Sequence, residues 1–191
     1  APQHIFQVLT KRPERMLDWF SRRWRDRGDS WGRLEKVNQV VMESFGGKGI
    51  GGIYITKWPL PNVWLGVSVE NQRYADERLP LLAQCPAAVR FVSYEPALGP
   101  VNFKPYFYAC SGCETIPCAC KGLAIHQVIV GGESGPGYRP MKVEWAQDIV
   151  ALCAAAGVPL FVKQDSGPRP GQQGRLQDAL WALKQMPKEK P

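Results

Sequence analysis

The sequence predicts an α/β protein with a parallel sheet, organised as a (β/α) barrel or as part of one. Two observations lead to this fold class. Apolar, strand-like runs alternate along the chain with helical patterns, and a polar or charged cluster closes every run. A full barrel usually takes ~250 residues and eight strands, so five strong runs predict a partial TIM barrel. The five runs are Ile5–Leu9, Val63–Glu70, Val89–Pro96, Gln127–Ser134 and Val158–Gln164.

The polar clusters favour the barrel over a doubly wound sheet. Ligand sites of (β/α) barrels collect at the carboxyl ends of several strands, whereas a doubly wound sheet concentrates its polar residues near one switch point. Here the clusters follow all five runs. They comprise Lys11 and Arg12; Ser68, Glu70 and Asn71; Ser93 and Glu95; Glu133 and Ser134; and Lys163 and Gln164.

The helices are predicted from apolar spacing and from their end residues. Pro13 suits the first turn of a helix that carries apolar residues at helical spacing up to Phe20. Asn71 is expected to cap a second helix. A third, rich in alanine, spans 143–156, with Gly157 at its C-cap.

The domain division follows from these elements. Residues 1–175 form the predicted partial barrel, with insertions at about 28–62 and 102–125. The second insertion is small and cysteine-rich, and it stands where the alternation of strands and helices predicts a helix. Residues 176–191 form a C-terminal helix and tail.

Composition limits the classes of protein that fit. The chain has 191 residues, of which 45% are hydrophobic and 21% charged, so wholesale disorder is excluded. No apolar run approaches the ~18 residues of a membrane helix, and we find no signal peptide, so no membrane partner is expected. The net charge of +7 permits nucleic acid as a partner. On charge alone, a solvated helix face is the preferred interpretation of the basic residues near the N-terminus.

Four of the six cysteines lie within eleven residues and predict a metal site. Their C-x2-C-x4-C-x-C spacing lets thiolates converge on one ion, which ranks a structural four-cysteine zinc site first. An iron–sulfur cluster ranks second, and free or disulfide-bonded thiols third. Cys85 and Cys153 are expected to pack as small hydrophobic residues. The four clustered residues are Cys110, Cys113, Cys118 and Cys120.

Six motifs carry a family resemblance. They are Gln7–Met16, Asn62–Gln72, Phe91–Pro100, Val128–Gly135, Arg139–Met141 and Phe161–Gln164. In this order they resemble a phage and prophage family of uncharacterised proteins that are similar to radical S-adenosylmethionine (SAM) enzymes. The motifs cover most of residues 3–175.

The resemblance implies a partial or full barrel, SAM as ligand, and a [4Fe–4S] cluster held by a three-cysteine motif in an N-terminal segment. That motif and the first strands lie outside this sequence, and the 110–120 cysteines differ from it in position and spacing. The resemblance therefore implies the C-terminal part of a longer protein, with a missing N-terminal segment or a partner chain completing the barrel. The expected location is the cytoplasm of a bacterial host cell or phage-infected cell.

The charged strand ends supply the candidate ligand-binding residues. A glutamate would accept hydrogen bonds from the ammonium or the ribose hydroxyls of a SAM-type ligand. A lysine or arginine would pair with the carboxylate of that ligand or with a substrate phosphate. Two glycines would allow close backbone approach. The alternative is that the acids and bases pair with one another. The candidates are Lys11, Arg12, Glu70, Glu95, Gly131, Gly132, Glu133 and Lys163.

Two functions stay open at this point. The first is the C-terminal part of a radical-SAM-like phage protein that acts on a nucleotide or nucleic acid. The second is a non-catalytic, zinc-bearing module that binds nucleic acid or a partner protein. The sequence does not identify catalytic residues for either.

Overall fold

A computed structural model describes residues 3–25, 59–107 and 125–188, with side chains described except at 21–25. Within these ranges five strands form one all-parallel sheet, in the order β1-β2-β3-β4-β5. The predicted mixed α/β class with a parallel sheet is confirmed. The strands are β1 (Phe6–Thr10), β2 (Val63–Ser68), β3 (Val89–Tyr94), β4 (Gln127–Gly131) and β5 (Leu160–Gln164).

Four helices accompany the strands in the described ranges. They are α1 (Pro13–Arg25), α2 (Gln72–Gln84), α3 (Val143–Ala156) and the single turn α4 (Asp178–Trp181). The predicted end residues of two helices are confirmed. The Asn71 side chain accepts from the Tyr74 N–H at 3.4 Å, and Gly157 closes α3 with a φ of 65°, where glycine avoids a Cβ clash.

The sheet has two faces with different coverings. On one, apolar side chains of β2–β5 pack with Leu79 and Leu82 of α2 and with Ile149 and Cys153 of α3. On the other face, alternate side chains line a cavity, and we call this the cavity face. Its strand residues are Gln7, Leu9, Phe91, Ser93, Gln127, Ile129, Phe161 and Lys163.

The strands follow one another in the sheet without reversal, and the sheet curves. Residues of the first strand and of the last strand line the same cavity. A doubly wound sheet reverses its strand order at a switch point, which these five strands do not.

The C-terminal tail covers the outer edge of β5. Phe161 and Lys184 form an antiparallel bridge, and the Val162 N–H donates to the Leu183 carbonyl at 2.8 Å. Lys184 and Met186 thereby join the lining of the cavity. The other edge of the sheet is β1, where the apolar Phe6, Val8 and Leu9 are between 46% and 49% exposed.

Residues 102–107 begin the predicted cysteine-rich insertion and contribute side chains to the core. They contain a 3-10 turn, Lys104–Tyr106, and the buried rings of Phe103 and Phe107. The four clustered cysteines and most of the predicted 28–62 insertion lie outside the described residues. Among the described helices, none has the length and apolar character needed to cross a membrane.

Candidate functional site

The cavity has a volume of about 610 Å³ and lies on the curved face of the sheet. That volume falls in the range of small-molecule sites. Half-buried Ile129 and Phe161 supply apolar wall, and Glu95 and Lys163 supply charge at the carboxyl ends of the strands. Parallel sheets commonly bind ligands at this end.

Glu95 and Lys163 are the two charged candidates that line the cavity. Their Oε2 and Nζ atoms are 2.9 Å apart. Glu95 follows β3 and Lys163 belongs to β5, so the two side chains meet across β4. The Glu95 side chain is 16% exposed and that of Lys163 is 49% exposed, so a ligand can reach the pair from solvent.

Gly131 of β4 makes room for this pair. A Cβ at Gly131 would stand 3.3 Å from both Cδ and Oε1 of Glu95 and 3.4 Å from Cγ of Gln164. Gly132 has a different neighbour, because a Cβ there would stand 2.2 Å from the Ser166 backbone nitrogen. The first glycine therefore shapes the charge pair, and the second lets the chain after β4 pack on the chain after β5.

Glu70 lies in a separate, mostly buried network. Arg78 Nη1 donates to Glu70 Oε2 at 3.1 Å and to the Ser68 carbonyl at 2.7 Å. Lys11 Nζ reaches Glu70 Oε1 at 2.6 Å. None of these side chains lines the cavity, so their geometry is that of a connection between the ends of β1 and β2 and helix α2. The neighbouring Arg12 is exposed, and its N–H donates to Thr10 Oγ1.

Glu133 pairs with a loop residue rather than with a strand-end base. Arg139 donates to it from Nε at 2.8 Å, from Nη2 at 2.6 Å and from its backbone N–H at 2.7 Å. Hydrogen bonds from the Arg139 side chain lower the pKa of Glu133 to about 2. The pair stands outside the cavity lining and fixes the loop after β4.

The structure adds an ion pair with a buried carboxylate that the sequence reasoning missed. Asp165, whose side chain is 1% exposed, accepts from Arg175 Nε at 2.9 Å and Nη2 at 2.8 Å. Burial alone would raise the pKa of Asp165, but hydrogen bonds from Arg175 and from the Ser166 N–H hold it below its usual value. The pair closes the loop between β5 and α4. The sequence offered one indication of this pair, because an acidic and a basic residue stand ten positions apart in a Gly/Pro-rich segment.

The family comparison covers the five strands and all the charged pairs described above. A family model described as "Protein of unknown function (DUF5131)" matches residues 1–182. The chain belongs to this DUF5131 family. No curated protein and no solved structure matches it.

Within 3–25, 59–107 and 125–188 no group of three or more His, Cys, Asp or Glu side chains could hold a metal ion. These ranges therefore contain no set of ligands that fits an iron–sulfur cluster. At the cavity, Glu95 and Lys163 supply one carboxylate and one ammonium.

Proposed function

We propose that this DUF5131 chain binds SAM, or a related nucleoside with an amino-acid tail, at the Glu95–Lys163 end of the cavity. The observation that carries the proposal is the ion pair across Gly131, at 2.9 Å and open to solvent. It stands at the carboxyl ends of parallel strands, where ligands of such sheets bind.

The chemistry of the pair matches a zwitterion. An α-amino acid group carries an ammonium and a carboxylate on one carbon, so it can exchange partners with a Glu–Lys pair. Glu95 then accepts from the ligand ammonium, and Lys163 donates to the ligand carboxylate. Each ionic group leaves water for an opposite charge that is already in place, which limits the desolvation cost of binding.

The wider proposal is a radical-SAM-like protein of phage type, of which this chain is the C-terminal part, acting on a nucleotide or nucleic acid. A [4Fe–4S] cluster held by the expected N-terminal cysteines would supply the electron for reductive cleavage of SAM. The described residues hold no ligand set for that cluster, so their part is to bind and orient the ligand.

A partial (β/α) barrel is the architecture that goes with this proposal. It is supported by five parallel strands in chain order and by one cavity lined from the first and last of them. A further segment or a partner chain would complete the barrel beside β1, whose apolar side chains are exposed.

We also propose that Cys110, Cys113, Cys118 and Cys120 bind one structural zinc ion. Their spacing supports this, with an iron–sulfur cluster as the alternative. A metal held by thiolates fits the reducing cytoplasm of a bacterial or phage-infected cell. Elemental analysis of protein purified without oxygen distinguishes about one zinc from about four irons per chain.

A second candidate function rests on the net charge of +7. A zinc-bearing module that binds nucleic acid would show affinity for DNA or RNA that falls steeply with added salt. It would show no SAM binding that depends on Lys163.

The test of the proposed function compares two lysines. Both stand at strand ends and pair with a carboxylate, but Lys163 lines the cavity and Lys11 does not. In a titration with S-adenosylhomocysteine, Lys163→Met is expected to have an affinity at least about tenfold lower than that of wild type, because a charge-assisted hydrogen bond is lost. Lys11→Met should bind as wild type does. Equal affinities for both variants and wild type would contradict the proposal.

A further inference from the structure

The outer edge of β1 is apolar and open. Ile5, Phe6, Val8 and Leu9 are between 42% and 49% exposed, and within the described ranges no strand or tail pairs with this edge. Open edges are usually protected, for example by a charged residue or a proline, and Phe6–Thr10 contains neither. This edge is therefore suited to pairing with the strand of another chain.

The free backbone groups of β1 belong to alternate residues. The Phe6 N–H donates to the Asn62 carbonyl at 2.8 Å, so the backbone groups of Phe6 face β2. Because this direction alternates along a strand of a parallel pair, Val8 also faces β2, whereas Gln7 and Leu9 turn their N–H and C=O groups to the open edge. A partner strand would therefore bond to Gln7 and Leu9.

The exposed apolar residues are arranged symmetrically about Gln7. Two of them precede it, at positions 5 and 6, and two follow it, at positions 8 and 9. Antiparallel pairing of two β1 strands with Gln7 opposite Gln7 places each Ile5 opposite a Leu9. The same register places each Phe6 opposite a Val8, so every exposed apolar side chain meets another one. The edge is thus complementary to a second copy of itself.

The charges beside β1 also fit an antiparallel pair. Lys11 and Arg12 follow the strand, so this pairing places them at opposite ends of the ladder in the two copies. The two Lys11 positions are then about eight residues apart along the ladder, which is ~26 Å at ~3.3 Å per residue. That distance exceeds the screening length of ~8 Å at physiological salt, so these like charges do not oppose the pairing.

The opposite edge of the described sheet is covered. The Val162 N–H of β5 donates to the Leu183 carbonyl of the tail at 2.8 Å, and the Gln185 N–H donates to the Leu160 carbonyl at 3.0 Å. A β1 strand therefore cannot add to β5 of another copy, which would build an open chain of copies. The β1 edges are left to pair with each other, and a self-complementary contact of this kind closes at two copies.

We propose that two copies of this chain form a symmetric dimer through antiparallel pairing of their β1 strands, centred on Gln7. The inference rests on the part of the proposed function that places a partner chain beside β1, and it names that partner. Roughly six backbone hydrogen bonds around an apolar centre would join the copies, which lies within the range of a typical interface.

The second copy would also extend the wall of the cavity. Gln7 and Leu9 line the cavity of their own chain. Residues that lie opposite each other in an antiparallel pair point to the same face of the sheet, so Gln7 and Ile5 of the other copy would stand next to them. The dimer therefore lengthens the cavity face beyond β1 in each copy.

Light scattering after size-exclusion chromatography measures the mass of the protein at ~50 µM, a concentration that suits an interface with a micromolar or lower Kd. We expect wild type to have twice the mass of one chain. Val8→Lys places a charge opposite Phe6 and should have the mass of one chain. Tyr138→Lys is the control and should remain a dimer, because Tyr138 is 38% exposed on the loop after β4. A single-chain mass for wild type, which would leave β1 to a different strand, or a dimer that survives Val8→Lys would overturn the inference.

Cysteine cross-linking tests the register without a charged substitution. In the proposed register the Cα atoms at position 7 of the two copies are ~5.5 Å apart, which is within disulfide range. Those at position 8 are offset along the ladder and roughly 8 Å apart, which is beyond it. After mild oxidation Gln7→Cys should give a covalent dimer on a non-reducing gel, whereas Val8→Cys and wild type should not. Equal cross-linking of the two variants, or no cross-linking of Gln7→Cys above that of wild type, would overturn the inference.

Failure of this inference is distinguishable from failure of the proposed function. A monomeric wild type whose affinity for S-adenosylhomocysteine depends on Lys163 would refute the dimer alone. A dimer without that affinity would refute the role of the charge pair alone. Lys163 lies on β5 at the other edge of the sheet, so Lys163→Met is expected to stay dimeric.

Discussion

Glu95 and Lys163 form an ion pair of 2.9 Å across the strand that separates them. The two residues are not on adjacent strands, and the missing side chain of Gly131 on the intervening β4 leaves space beside the Glu95 carboxylate, which a Cβ would approach to 3.3 Å. Both charges of the pair line the cavity. This relationship links the sequence pattern to the proposed ligand site.

The two adjacent glycines should respond differently to alanine. In Gly131→Ala the new methyl stands 3.3 Å from the Glu95 carboxylate, which can shift, so we expect weaker S-adenosylhomocysteine binding and a stability loss below about 1 kcal/mol. In Gly132→Ala the methyl meets Ser166 backbone at 2.2 Å, and we expect a loss of about 2–3 kcal/mol. Urea unfolding and calorimetric titration measure both. Equal stability losses would contradict these separate roles.

Glu70 is expected to matter for stability rather than for ligand binding. Glu70→Gln leaves the mostly buried Arg78 without its carboxylate, and breaking such a pair costs about 3 kcal/mol. Urea unfolding should show this loss while S-adenosylhomocysteine affinity is retained. Glu133→Gln is the matched comparison, since Glu133 and Arg139 are more exposed than Glu70 and Arg78, and it should lower the unfolding midpoint less. Equal effects of the two variants would refute the buried network.

The Asp165–Arg175 pair should make stability depend on acid pH. The pKa of Asp165 is lowered in the folded chain, so the stabilisation is complete above the unfolded pKa of about 3.9 and is lost as pH falls through the folded value. Asp165→Asn should therefore be about 2 kcal/mol less stable near neutral pH, with the difference shrinking below about pH 4. Thermal unfolding of wild type and Asp165→Asn from pH 2 to 7 measures this difference in stability. A difference that stays constant over the whole pH range would contradict the stabilising role of the Asp165–Arg175 pair.

Thiol reactivity gives a separate test of the zinc proposal. Burial raises the pKa of Cys85 to about 11 and of Cys153 to about 12, so neither should react with a disulfide reagent at pH 8. Zinc-loaded protein should accordingly show no fast-reacting thiols, and chelation should expose the other four of the six. Four fast thiols before chelation in protein that contains zinc would contradict ligation by these residues.

Local sequence rules predicted much of the fold, and long-range pairing determined the rest. The Asn71 cap and the Gly157 C-cap depend on neighbouring backbone alone, and both are confirmed. The strand-end charges followed from the rule that parallel strands end on one edge. The partner of each charge depends on the conformation of the loops, which the sequence pattern does not give. Glu133 therefore pairs with Arg139 of the following loop instead of with a basic residue at a strand end.

The central claim is that the Glu95–Lys163 pair receives an amino-acid zwitterion. Calorimetric titration of wild-type protein with S-adenosylhomocysteine and with 5′-methylthioadenosine tests it most directly, because the second ligand keeps the nucleoside and lacks the ammonium and the carboxylate. Our account predicts that S-adenosylhomocysteine binds about tenfold tighter or more, and that Lys163→Met removes most of this difference. Equal affinity of wild-type protein for the two ligands would contradict it.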